Sequence, residues 1–337
     1  MMLSALAFFL VGCESELKRE AALEVGVIQN DNVKLEDETI VVRKGQPVVF
    51  NLAGDPDNIT FFSGETGQQY IYRDRDQVDP EEIESSTLSF SVWFQYGTAK
   101  ASANVLKMYI SDAFPGLSKN NFAADSALVR DYQWNDLVDQ SLLPQKPGSA
   151  SAAIKFDVDL KTYLGKRFAI AINYEGHDNS AAQPRVNFEG MRIDNVMKDG
   201  TTSTLYAGNF GFTPINMQCH LNLKDQTGMK TNREYGTVTN NVSGIWNMVK
   251  AGTGTFDIHS SGVGAPLKYS WLVSDLIMAN ASSPDMGTPI KNITQRLDTY
   301  TYIYNKVGTY TATFVATNSN HQQQTRVVRE VKVKVIE

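Results

Sequence analysis

The feature that most constrains what this chain can fold into is alternation with a period of two. Its clearest instance closes the sequence. In "REVKVKVIE", residues 329–337, Val331, Val333 and Val335 share one face, and Lys332 and Lys334 take the other. Successive side chains of a strand point to opposite faces, so this pattern buries one side of a sheet and wets the other. "TLSFSVWFQYG" puts Leu88, Phe90, Val92, Phe94 and Tyr96 on one face. "ETIVVRKGQPVVFNLAG" alternates in two short runs, with Lys44-Gly45 as the turn between them, and "VLKMYIS", "RFAIAINYEG" and "RVNFEGMRI" repeat the theme. Short strands punctuated by Gly, Asn, Asp and Pro predict an all-β protein built of sandwiches. Helical periodicity is scarce. "DSALVRDYQWNDLVDQSLL", residues 125–143, has apolar residues at mixed spacing and reads as a loop with a short helical turn.

The chain's 337 residues exceed the size at which one core usually stops growing, so two domains are expected. A net charge of −6 gives no electrostatic support to a nucleic-acid or anionic-membrane partner. Two cysteines, Cys13 and Cys219, are too few for a disulfide framework. Cys219, in the alternating "INMQCHLNL", reads as a buried, inert thiol.

The N-terminal run through "LAFFLVGCESE" is apolar up to Gly12-Cys13 and then turns acidic. It is too short to span a bilayer, which takes ~20 residues, and it suits the apolar region of a secretory signal. Leu10-Val11-Gly12-Cys13 resembles the lipobox of bacterial lipoproteins, with a small residue just before the cysteine. The resemblance implies cleavage before Cys13 and acylation of it, each buried methylene being worth about 0.8 kcal/mol. "CESELKRE" is similar to the surface-export signal of Bacteroidota lipoproteins, which implies an outer-membrane lipid anchor facing the cell exterior. The expected layout is therefore a signal peptide over 1–13 and a polar tether over 14–24.

"LKYSWLVSD" and "DTYTYIYNKVGTYTATFVATNSN" resemble the PKD branch of immunoglobulin-like sandwiches, through Tyr300, Tyr302, Tyr304, Gly308-Thr309-Tyr310 and Thr317-Asn318-Ser319. "VRKGQPVVFNLAGDPDNITFFSGETGQQYIYRDR" looks like the opening half of the same kind of domain, and alone it has too few strands to close a sandwich. "LKMYISDAF", "WNDL", "FDVDLKTYLGKRFAIAINYEG" and "MRIDNV" follow the order seen in galactose-binding-like jelly rolls. The expectation is one Ig/PKD-like domain split into 25–80 and 284–337, with a jelly roll over 81–283 inserted. Together these resemble an uncharacterised family of Bacteroidota surface lipoproteins, of which "GDPDNITFFSGETGQQYIYRDR" is the most distinctive part. The resemblance implies glycan capture beside starch-utilisation-type outer-membrane transporters.

A search for chemistry finds no nucleophile elbow, zinc-protease motif or phosphate loop. His177, His220, His259 and His321 are scattered without metal-ligand spacing. Asp55 and Asp57 are the oxygen-rich candidates for a structural Ca²⁺, although Asp-Pro-Asp-Asn is also a turn sequence. No other cofactor is implied. Sugar binding uses aromatic rings whose faces meet apolar sugar faces. Trp246, in "NVSGIWNMVKAG" between Gly244 and Gly252, is the leading candidate, with Trp93 and Trp134 behind it and Trp271 expected in the core. A non-catalytic glycan-binding surface lipoprotein is the favoured reading. An adhesive protein that binds another protein and a glycoside hydrolase with an unrecognised carboxylate pair are the alternatives.

Overall fold

The computed structural model describes residues 19–217 and 234–337. Cys13, Cys219 and His220 lie outside the described residues. The chain divides into two compact units. The first comprises the residues through Asp76 together with Ser282–Glu337, and the second is Gln77–Ala281.

Along the chain, the first unit opens with β1 (Glu24–Val27), β2 (Val33–Glu36), β3 (Thr39–Arg43), β4 (Pro47–Ala53) and β5 (Asn58–Phe62). The second unit follows with β6 (Ile83–Gln95), β7 (Leu106–Ser111), β8 (Asn135–Asp136), β9 (Ile154–Asp159), β10 (Arg167–Glu175) and β11 (Arg185–Met197). It continues with β12 (Thr202–Tyr206), β13 (Thr213–Ile215), β14 (Trp246–Asn247), β15 (Phe256–Ile258), β16 (Tyr269–Val273) and β17 (Ile277–Met278). The chain then returns to the first unit with β18 (Thr288–Lys291), β19 (Thr299–Ile303), β20 (Gly308–Ser319) and β21 (Gln324–Ile336).

The first unit is a three-stranded sheet, β1-β4-β19, and a six-stranded sheet, β18-β5-β20-β21-β3-β2. Alternation decides which side of each strand is dry. In β4, Val48, Phe50 and Leu52 are buried; in β20, Ala312, Phe314 and Ala316 are. These faces meet. Phe50 approaches Phe314 with ring centroids 5.0 Å apart, and Phe61 of β5 lies 5.1 Å from Tyr302 of β19. Burying each such side chain is worth about 1.5–3 kcal/mol. β21 pairs antiparallel with β20 and parallel with β3, so the chain's last strand sits inside the sheet.

The second unit is a sandwich of the β13-β16-β10-β7-β8 sheet and the β14-β15-β11-β6-β9 sheet, with β17 and β12 attached. Between them lies a core that includes Phe90, Phe94, Met108, Ile110, Phe168, Ile172 and Phe188. β10 is buried along almost its whole length because both its faces are covered. Phe168, Ile170 and Ile172 enter the inter-sheet core, whereas Ala169 and Ala171 face a second cluster with Phe114, Val129 and Trp271.

The stretch 125–143 holds more helix than its mixed apolar spacing predicts. Part of 125–143 belongs to a ten-residue helix, α2 (Phe122–Asp131), beginning before the stretch read as a loop. The earlier helix α1 (Ala99–Ser102) is a single turn. α2 owes its existence to its N-terminus. The Asn121 side chain accepts from Ala124 N–H at 3.1 Å, and the Asp125 carboxylate accepts from Ser118 N–H and Lys119 N–H, both at 2.9 Å. Its apolar residue Val129 then docks into the second cluster. Among the described residues no helix is long and apolar enough to cross a membrane.

Candidate functional site

β6 alternates strictly, and its dry face (Leu88, Phe90, Val92, Phe94) faces the core. Its other face therefore presents Thr87, Ser89, Ser91, Trp93 and Gln95 outward, only part-buried. Pairing with β11 sets their neighbours: Trp93 lies opposite Asn187, Gln95 opposite Arg185, Ser91 opposite Glu189 and Ser89 opposite Arg192. One strand further, Asn187 faces Asp257 of β15, which in turn faces Asn247 of β14. The result is a transverse row, Asn247–Asp257–Asn187–Trp93, with one indole at its end and three hydrogen-bonding side chains beside it.

The row is held in place by charge. Arg185 grips Asp257 through two hydrogen bonds, at 3.0 and 2.8 Å, a fork-to-carboxylate geometry that fixes both side chains. The Asn187 amide nitrogen is buried and has no hydrogen-bond partner among the described residues. An unpaired buried donor is costly, about 1–3 kcal/mol. His259 sits nearby, its imidazole held below its ordinary pKa by burial and then by the Arg185 charge.

Next to this row the sheet opens into a groove of about 480 Å³ lined by Ser89, Ser91, Lys155, Asp157, Glu189 and Arg192, among others. Its shape comes from a bulge. The β6–β11 register shifts between Glu189 and Arg192, and Gly190 occupies the left-handed region there, with φ at 64°. The groove's walls are ordered by their own bonds. Ser89 donates to Asp157 at 2.6 Å, and Arg192 donates to Asp194 at 2.7 Å and to the Gly190 carbonyl at 3.1 Å. The groove offers donors and acceptors, with Phe90 and Phe156 also in its lining and Trp93 on the adjoining row, and neither sign of charge dominates.

The other expected site residues fall elsewhere. Trp246 is fully buried, which overturns its reading as an exposed loop residue. Its ring packs between the sheets near Phe188 and Phe256, and its indole N–H donates to Ser270 Oγ at 3.0 Å. Trp134 is half-buried in an aromatic cluster, 4.6 Å from Phe114 and 4.9 Å from Tyr132, with its N–H donating to the Val129 carbonyl. Its ring is thus a packing element and not a free platform. Asp55 and Asp57 do not form an oxygen cage. Arg19 contacts both, and its hydrogen bond to Asp55, with the buried Lys291 ammonium 3.4 Å away behind it, holds that carboxyl below its usual range. Among the described residues no cluster of three or more His, Cys, Asp or Glu side chains could hold a metal ion. Trp93 alone among the tryptophan candidates combines an outward position with polar neighbours. Asn187, Asp257, Arg185 and Asn247 escaped the sequence reading, although "RVNFEG" does carry Arg185, Asn187 and Glu189 at the spacing of one wet face.

Against known proteins, residues 22–210 match a family described as Domain of unknown function (DUF5017). No curated protein matches the chain. The matched stretch contains Trp93 and Asn187 but ends before Asn247 and Asp257.

Proposed function

The chain belongs to the DUF5017 family, whose description names no activity, and we propose that it captures glycan without cleaving it, on the outer face of the β14-β15-β11-β6-β9 sheet. The observation that carries this reading is the row ending in Trp93 beside the Gly190 groove. A sugar ring needs a flat apolar surface on one side and polar partners at its rim. Trp93 supplies the surface, and Asn187, Asp257 and Asn247 supply the partners in register. An open sheet face suits an extended polymer better than a small free molecule. We further infer that the first unit is an Ig/PKD-like sandwich and the second a galactose-binding-like jelly roll. In this proposal Cys13 carries the lipid that tethers the protein to the outer membrane, facing outward beside a polysaccharide transporter.

The test of ligand class is a microarray of plant, fungal and animal glycans probed with the soluble chain lacking residues 1–13. Binding to a polysaccharide or oligosaccharide is expected, and silence across the array refutes glycan capture. Fractionation tests the anchor separately. Cys13→Ala should move the protein from the membrane to the soluble fraction, and an unchanged membrane fraction refutes it.

A further inference from the structure

A second cavity lies in the first unit, and it is built from two segments far apart in the sequence, residues 65–68 and 302–310. On one side is the loop of residues 63–68, "SGETGQ". Gly64 has φ at 82°, and a side chain there would meet the Thr311 backbone of β20, with carbonyl oxygen at 2.6 Å and nitrogen at 2.7 Å. Only glycine lets the loop lie this close to the strand. Tyr304, fully buried, donates its hydroxyl to the Ser63 carbonyl at 2.9 Å and pins the loop from beneath. Tyr310 stacks on Tyr304, with ring centroids 4.8 Å apart. The cavity of about 300 Å³ is lined by Glu65, Thr66, Gln68, Tyr302, Lys306 and Tyr310.

The bonding inside it is incomplete. Tyr302 donates to one Glu65 carboxylate oxygen at 2.5 Å, and Ser63 reaches that same oxygen at 3.4 Å. Burial and then the Glu65 bond push the Tyr302 hydroxyl up, so it remains a donor. The second Glu65 oxygen has no hydrogen bond to the described residues. Gln68 Oε1 is buried without a partner among the described residues. The Lys306 ammonium makes no ion pair among the described residues. One carboxylate, one ammonium and an amide therefore surround two tyrosine rings.

We propose that this cavity binds a single neutral pyranose ring. Glu65 and Lys306 carry opposite charges, so an anion or a cation would satisfy one and leave the other unmatched. Sugar hydroxyls both donate and accept, and so can satisfy the carboxylate, the amide and the ammonium together. The tyrosine rings give the apolar face of the sugar a surface. At about 300 Å³ the space is at the small end of ligand sites, which selects one ring over an extended chain. This site lies in a different unit from the Trp93 face and does not depend on it.

Saturation-transfer NMR on the full soluble chain tests the proposal, with free D-glucose, D-galactose, D-mannose and N-acetylglucosamine as probes. At least one should give transfer in the wild type. Glu65→Gln should weaken it about tenfold, and Lys306→Ala, an exposed and structurally mild change, should weaken it severalfold. Each variant is also made in a Trp93→Ala background, where any transfer must come from this cavity, and transfer should persist in that background with Glu65 and Lys306 intact. No transfer to any of the four sugars overturns the proposal. So does transfer that survives in both cavity variants in that background.

Discussion

Replacing Trp246 by alanine removes the largest fully buried side chain of the second unit, and its consequence can be worked from its surroundings. The ring has no exposed surface and packs 6.4 Å from Phe188 and 6.2 Å from Phe256, centroid to centroid. Truncating a buried Trp to Ala costs about 3–5 kcal/mol through lost transfer energy and the cavity left behind. The lost indole hydrogen bond adds about 1 kcal/mol. Ser270 Oγ softens this loss, because it keeps a contact with Asn216 Oδ1 at 3.0 Å. Destabilisation of about 4 kcal/mol is therefore expected. At about 2–4 °C per kcal/mol for a unit of this size, the melting temperature should fall by about 8–16 °C. Trp246→Phe keeps most of the ring volume and should cost about half as much. Urea unfolding followed by circular dichroism, with calorimetry beside it, measures both. If Trp246→Ala melts with the wild type, the ring is not in the core and the inward orientation of β14 is wrong.

Two further expectations concern buried charge. Asp125 is buried but accepts four hydrogen bonds, from Ser118 N–H and Oγ, Lys119 N–H and Tyr235. Burial pushes its carboxyl up, and the four donors outweigh this and hold it below its ordinary 3.8. A depressed carboxyl stabilises the fold above the unfolded-state pKa and loses that contribution as pH falls through the folded one. Asp125→Asn should therefore cost about 2–3 kcal/mol at neutral pH, with the gap to wild type closing below pH ~3.8 in acid melts. Lys268 is fully buried, donating to the Pro184 and His259 carbonyls at 2.7 and 2.9 Å with its ammonium over the Tyr174 ring. Burial drives its pKa well below 10.5. The unfolded chain then binds more protons than the folded one between the two values, so stability should rise with pH toward 10.5. Subtracting the melts of Lys268→Met from those of wild type isolates this rise, and parallel curves for the two proteins would refute it.

What a stretch of sequence reveals about a side chain depends on what sets that side chain's facing. Alternation is local, so β6 and β21 could be read directly, and Trp93 falls on the face opposite Phe90, Val92 and Phe94; whether that face is open or covered by another sheet is set by tertiary packing. Trp246 shows the opposite case. It sits on a two-residue strand in a stretch without periodicity, and the flanking Gly244 and Gly252 look like an exposed loop. Only pairing with β15 turns the ring inward. Helix α2 was obscured because its stability comes from the Asn121 cap and the Asp125 clamp, and its apolar stripe is weak. The partners of Trp93 were invisible for another reason. Asn187 and Asp257 reach it through strand register, which no local pattern encodes. The tyrosine-lined cavity likewise joins Glu65 to Tyr302 and Tyr310 across most of the chain's length.

The claim that glycan is held on the Trp93 face is tested most directly by calorimetric titration of an array-positive oligosaccharide into wild type and Trp93→Ala. Binding energy usually concentrates in a few aromatic anchors, so the variant should lose about 1–3 kcal/mol, a tenfold loss in affinity for each 1.4 kcal/mol. Its melting temperature should stay within a few degrees of wild type, because the indole is only part-buried. Trp93→Ala binding the oligosaccharide as tightly as the wild type, while folded, would contradict the assignment of this face.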